Sequence, residues 1–171
     1  MKKLRVPLSN PAALRAGDEA VLSGTVYSAR DQAHKRLVAL LDAGRPLPVD
    51  LGGQVIYYTG PAPAPPGRVI GSAGPTTSGR MDAYTPRLLD AGLAGMIGKG
   101  YRSPAVVESM RRNGAVYFYA YGGCGALYAQ CIRAARVIAF AELGPEALSR
   151  LEVEEFPVLV AIDAAGNSIL A

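Results

Sequence analysis

The chain has 171 residues, half of them apolar, and a formal net charge of +4. That length supports one packed core but not two ample ones, and so apolar a composition excludes a disordered chain. No apolar run approaches the roughly 20 residues of a membrane helix, and no dense basic block marks a nucleic-acid surface, so the mild positive balance suits a small anion or an acidic partner.

The first residues, "MKKLRVPLSNP", begin like a secretion signal. A charged "RAGDE" follows where the apolar stretch should be, so a soluble, cytoplasmic protein is expected. Residues 21–27 alternate as a strand does. Residues 31–43 place Ala33, Leu37, Leu40 and Leu41 at helical spacing. Strands are expected over 54–58 and 68–72, on either side of the stiff proline loop "PAPAPPG". A helix over 84–91 stops at Gly92, and a short buried strand covers 93–97. A second stopped helix covers 104–112, ahead of Asn113-Gly114, and its basic "MRRNG" reads as a solvated helix end. Then come a strand over 115–121, a helix over 125–134, a strand over 137–140 and a final hairpin of 157–163 with 168–170. Proline after Asn10, Thr85, Ser103 and Gly144 marks helix starts. Interleaved strands and helices make an α/β domain whose mixed sheet is partly parallel and ends in antiparallel fashion.

Three polar segments each follow an expected strand: "SARDQAH" (28–34), "GPTTSGRMD" (74–82) and "GKGYRS" (98–103). Ligands of open α/β sheets gather beyond the carboxyl ends of strands. Each segment offers a cation there: Arg30, Arg80 and Lys99. Arginine grips a carboxylate through two parallel hydrogen bonds. With the hydroxyls of Thr76, Thr77 and Ser78, and with Gly79 and Gly98 admitting close backbone approach, the set suits a small dicarboxylate. An ordinary reading stands beside this one. Asp31 caps its helix, the three hydroxyls satisfy local backbone groups, and each turn is only a turn. His34, the sole histidine, falls one turn after Arg30 and near the same pocket. "YGGCGALYA" lacks the full dinucleotide fingerprint, and "GPTTSGR" is no P-loop. Cys124 and Cys131 read as buried structural thiols, with no metal-ligand pattern in this chain.

The stretch from "GPTTSGRMD" through "GKG" to "YGGCGALYAQCI", with "LSGTVYSARDQAHKRL" before it and "LGPEALSRLEVEEFPVLVAIDAAGNSI" after it, resembles the carboxy-terminal catalytic region of iron–sulfur hydro-lyases. These are the class I fumarases and the tartrate dehydratases, and the resemblance covers most of the chain. It implies that residues 1–171 form one beta-type domain with a swivelling β/β/α fold. It implies a lyase subunit that reversibly hydrates fumarate to (S)-malate, a step of the tricarboxylic acid cycle. The [4Fe–4S] cluster would be carried by a partner alpha subunit in a hetero-oligomer, leaving this chain inactive when isolated. Residue by residue, Arg30 matches the arginine of a Gly-Arg-Asp motif, Arg80 that of Thr-Thr-x-Gly-Arg, and Lys99 the lysine of Gly-Lys-Gly. All three would hold substrate carboxylates. Thr76 matches the threonine that removes the carbon-bound proton, with Thr77 as its substitute; Asp31 and His34 stand behind them. The pattern departs at Ala29, where the family has glycine. Rival readings are an L(+)-tartrate dehydratase beta subunit, a non-catalytic anion-binding or assembly module, and a stand-alone enzyme without a cluster.

Overall fold

A computed structural model describes residues 1–170. Its strands are β1 (Lys2–Val6), β2 (Glu19–Ser28), β3 (Val55–Tyr57), β4 (Gly95–Gly98), β5 (Val116–Tyr119), β6 (Ile132–Ala139) and β7 (Leu148–Ile162). The helices are α1 (Asp31–Asp42), α2 (Thr85–Asp90), α3 (Pro104–Asn113) and α4 (Gly125–Gln130). The strands form one sheet in the order β1-β2-β3-β4-β5-β7-β6. Strands β1 to β5 run parallel, and β7 runs antiparallel to β2, β5 and β6. Because β7 pairs with both β2 and β5, strands β2, β3, β4, β5 and β7 close a ring. The α/β class and the mixed sheet agree with the sequence pattern. None of the described helices is long and apolar enough to cross a membrane.

Alternation along the strands supplies two cores. Val55, Tyr57, Val116 and Phe118 face Leu22, Val26, Leu151 and Phe156 of β2 and β7. Ile56, Tyr58, Met96 and Tyr117 face Leu37, Leu88, Leu89, Val106 and Met110, which lie on α1, α2 and α3. Strands buried on both faces are what helix-covered parallel sheets require. Capping sets the ends of α3. The Ser103 hydroxyl accepts a bond from the Val106 amide at 3.3 Å, Pro104 begins the helix, and Gly114 ends it at φ 67°.

Several expectations shift. Residues 68–72 form a loop, not a strand; with Val69 half exposed, the apolar "RVIG" packs without a ladder partner. Helix α4 stops at Gln130 because residues from Ile132 onward pair with β7. Strand β6 is accordingly twice as long as the four residues expected, since it spans eight. The expected terminal hairpin reduces to one bridge between Ile162 and Ser168. Gly144-Pro145 lies inside a 3-10 turn, Ala141–Glu146, and starts no α-helix. Neither cysteine is buried; both are half-exposed free thiols.

Candidate active site

Parallel strands β2 to β5 deliver their carboxyl ends to one edge of the sheet. Tyr58 still donates its amide to the Ile97 carbonyl, at 2.9 Å, but beyond that point β3 and β4 part. The segment 76–78 inserts between them. The Thr76 amide donates to the Tyr58 carbonyl at 2.7 Å, and the Ser78 amide to the Lys99 carbonyl at 2.8 Å. The Lys99 amide donates back to the Thr76 carbonyl at 3.3 Å, so Thr77 pairs with Lys99 as a one-residue parallel strand. The hydroxyl-rich bend is therefore held by its backbone, and the Thr76 and Thr77 hydroxyls take no part in that bonding. Gly98 is fixed by this insertion: a methyl group there would collide with the Ser78 hydroxyl and stand 2.8 Å from the Tyr58 ring.

The bend then enters a 3-10 turn, Ser78–Met81, which turns Gly79 and Arg80 to the surface. Among the described residues, no acid pairs with Arg80 or with Lys99. Lys99 is half-buried, and a methyl on Gly122, just after β5, would lie 3.4 Å from its Nζ.

Arg30 follows β2 and occupies the N-cap of α1 in an extended conformation, φ −118°. Asp31 is the first helical residue, not the cap, and it favours the positive helix end from there. The guanidinium lies against Gly60, where a methyl would stand 2.9 Å from Nη1. Arg30 Nε and Asp31 Oδ1 are buried and 4.0 Å apart, and neither has a hydrogen-bond partner among the described residues. Ala29 is fully buried, its amide bonds the Tyr57 carbonyl at 3.2 Å, and it is not among the positive-φ residues. Alanine thus fits this turn without displacing Arg30.

His34 is fully buried beneath Arg30. Its Nδ1 lies 2.7 Å from the Arg30 carbonyl, which can only accept, so Nδ1 carries the proton. Its ring meets Tyr58 edge-on at 5.3 Å and Tyr84 at 6.3 Å. Burial pushes its pKa down to about 4, and the imidazole is neutral at pH 7.

The structure thus brings Thr76, Thr77 and Lys99 side by side at the parting of β3 and β4. It sets Arg80 on the turn that follows and places Arg30 with Asp31 and His34 at the end of the adjacent strand. A buried cation between these segments escaped the sequence reading. Arg102 has no exposed side-chain surface, and its Nε donates to Asp82 Oδ1 at 2.8 Å. Its Nη2 donates to Thr85 at 2.9 Å, and both Nη groups reach the Tyr58 hydroxyl at 3.2 Å. Burial opposes this charge, but Tyr58 and the Asp82 carboxylate outweigh it and hold the arginine pKa above its usual value. The one signal in the sequence was its place in "GKGYRS", three residues after Lys99.

A family model described as fumarase C-terminus matches residues 5–171. The chain belongs to that family. It is 41% identical over 170 residues to the anaerobic class I fumarate hydratase of Escherichia coli, covering 98% of this chain and 30% of that protein. Fumarate hydratase 2 of Leishmania major is 39% identical over 155 residues, which are 90% of this chain and 27% of that protein. The chain therefore spans less than a third of these two relatives. A Methanocaldococcus jannaschii protein, provisionally named L(+)-tartrate dehydratase subunit beta, is 38% identical over 162 residues, covering 91% of this chain and 83% of that one.

The fumarase C-terminus family raises the question of an iron–sulfur cluster. Such a cluster takes three or four thiolates, and this chain has two cysteines. Among the described residues, no three His, Cys, Asp or Glu side chains converge where they could hold a metal ion. The residues present do not fit a cluster.

Proposed function

We propose that residues 1–171 are the beta-type component of a two-component hydro-lyase that reversibly hydrates fumarate to (S)-malate in the cytoplasm. The [4Fe–4S] cluster would be held by a separate alpha subunit, where it supplies Lewis-acid chemistry at the substrate hydroxyl. The observation that carries this reading is the insertion of Thr76–Ser78 beside Lys99, with Arg80 next to it and, among the described residues, no acid paired with either cation.

Arg80, Lys99 and Arg30 bind the substrate carboxylates, and Gly79 leaves the turn open for that approach. Removing the carbon-bound proton of malate places negative charge on the adjacent carboxylate. Fixed cations at that carboxylate lower the barrier because they need no reorganisation as the charge develops. Thr76 receives this proton. It acts as a base only in its alkoxide form, which the positive charge of Lys99 and Arg80 favours; Thr77 is its substitute. Asp31 and His34 hold Arg30 from behind, one through charge and the other through the Arg30 carbonyl.

Anaerobic co-expression with a cluster-bearing alpha subunit tests the reading, with malate–fumarate and tartrate assays run in parallel. Malate turnover that requires both chains is the expected result. Association without any lyase activity would leave an anion-binding or assembly module. Tartrate-only turnover would move the substrate and keep the residue roles. That second reading draws on the Methanocaldococcus jannaschii relative, 83% of which this chain covers.

A further inference from the structure

The geometry points to Arg102 as a positioning residue that, through Asp82, fixes the placement of Arg80 relative to Lys99; the inference rests on the functional reading above. Arg80 and Lys99 are carried by separate segments, and each segment is tied to the same buried group. On one side, Asp82 follows the 3-10 turn that presents Arg80, two residues away. Its carboxylate accepts from Arg102 Nε at 2.8 Å and from the Ser103 amide at 2.8 Å. Thr85 accepts from Arg102 Nη2 and donates to the Met81 carbonyl at 2.8 Å, which closes the same turn from beneath.

On the other side, the Arg102 guanidinium lies over the rings of Tyr58, at 5.2 Å, and Tyr117, at 5.0 Å. The Tyr117 hydroxyl reaches both the Gly100 carbonyl, at 2.9 Å, and the Ser78 hydroxyl, at 2.8 Å. Gly100 directly follows Lys99, and Ser78 pairs with Lys99 through its amide. One planar cation thus links the Arg80 turn, the Lys99 segment, the end of β3 and the second residue of β5.

A buried ion pair is often no more stabilising than apolar side chains of the same volume, so stability alone does not account for this one. A guanidinium with donors in a fixed fork imposes angles as well as distances, which lysine cannot reproduce. Such a group suits the task of holding two substrate cations at a set separation.

The test uses the assembled two-chain enzyme with Asp82→Asn and Arg102→Lys. The asparagine variant keeps the size of the side chain and one of its two accepted hydrogen bonds, so it serves if the lysine variant does not fold. Both are expected to raise KM for fumarate by about tenfold or more and to lower kcat as well, because misplaced cations weaken carboxylate binding and no longer face the charge that develops on it. Hydrogen exchange at the Ser78 and Lys99 amides should also quicken by about tenfold or more, as the segments they join loosen. A role in folding alone would instead lower the melting temperature and kcat while leaving KM at the wild-type value. That pattern, or unchanged KM and exchange, overturns the inference. If the wild-type pair turns over neither fumarate nor tartrate, the functional reading fails by itself. The exchange measurement still judges the clamp in that case, and unchanged protection at Ser78 and Lys99 refutes it.

Discussion

Along the antiparallel strands, Arg133 lies 3.0 Å from Glu154 and Arg150 lies 2.9 Å from Glu152. At the carboxyl ends of the parallel strands, Arg80 and Lys99 have no acid among the described residues, and Arg30 approaches Asp31 only to 4.0 Å. The side-chain types overlap, and both regions face solvent. What differs is the backbone behind them. In the ladder between β6 and β7, Arg133 meets Glu154 across the strands and Arg150 meets Glu152 two residues along β7, while Arg136, set opposite Arg150, has no acid partner among the described residues. At the parallel edge, strands end side by side and each turn departs into a different element, so like charges gather with nothing opposite them. Uncompensated cations beside open glycines make a site for an anion; compensated ones make a soluble surface. A net charge of +4 read from the sequence does not separate the two cases.

The largest expected difference sets one arginine from each region against the other. Arg80→Ala in the assembled enzyme should lower turnover by about 100-fold or more, the scale associated with removing one fixed group that stabilises developing charge. Arg133→Ala should leave turnover within about twofold, because a surface ion pair remote from the chemistry contributes little. Size-exclusion chromatography checks that both variants still assemble. Comparable losses in the two variants would erase the distinction between paired and unpaired cations.

Part of this contrast was legible beforehand: "SARDQAH" and "GKGYRS" do follow strands, whereas the strand expected before "GPTTSGRMD" is a loop and that segment reaches the site by insertion. Local signals sufficed there: alternation in 21–27, the Ser103-Pro104 start and the Gly114 stop all act within a few residues. What escaped depends on distant partners. Strand β7 runs from Leu148, but "LSRLEVEE" carries so many charges that only its pairing with β2 and β6 makes it a strand. "RVIG" has the composition of a strand and lacks a neighbour to pair with. Arg102 meets Asp82 across 20 residues and Tyr58 across 44, distances over which a sequence pattern says nothing. Its network exists only once β3, β4 and β5 lie side by side.

His34 sharpens the comparison from inside the cation-rich edge. It packs among Arg30, Asp31, Arg102, Tyr58 and Tyr84, where an imidazolium would add a buried charge beside two guanidiniums. Its pKa falls from 6.5 to about 4, chiefly through burial. The unfolded chain therefore binds the proton more readily, and between these values stability rises with pH. Acidification from pH 7 should leave the His34 contribution intact down to about 6.5 and remove on the order of 3 kcal/mol by pH 4, at 1.36 kcal/mol per unit. Urea titrations across this window should show a shallower pH slope for His34→Gln, whose amide can still donate to the Arg30 carbonyl. An identical slope in the variant would mean that the imidazole is already solvated.

The smallest effect is expected where the ladder answers its own charges. Arg133 and Glu154 are each more than 60% exposed, so water screens their attraction and holding two long side chains in one geometry costs entropy. Arg133→Ala should shift the melting temperature by less than about 2 °C, and added salt should shrink even that difference. Arg150 adds bonds to Thr25 at 3.3 Å and to Glu152, which itself accepts from Thr25 at 2.9 Å. Its replacement by alanine should therefore cost slightly more than that of Arg133 and depend less on salt. If Arg133→Ala proved the more damaging of the two, register-made pairs would be holding the sheet together, and charge compensation would no longer distinguish a solvated surface from a structural one.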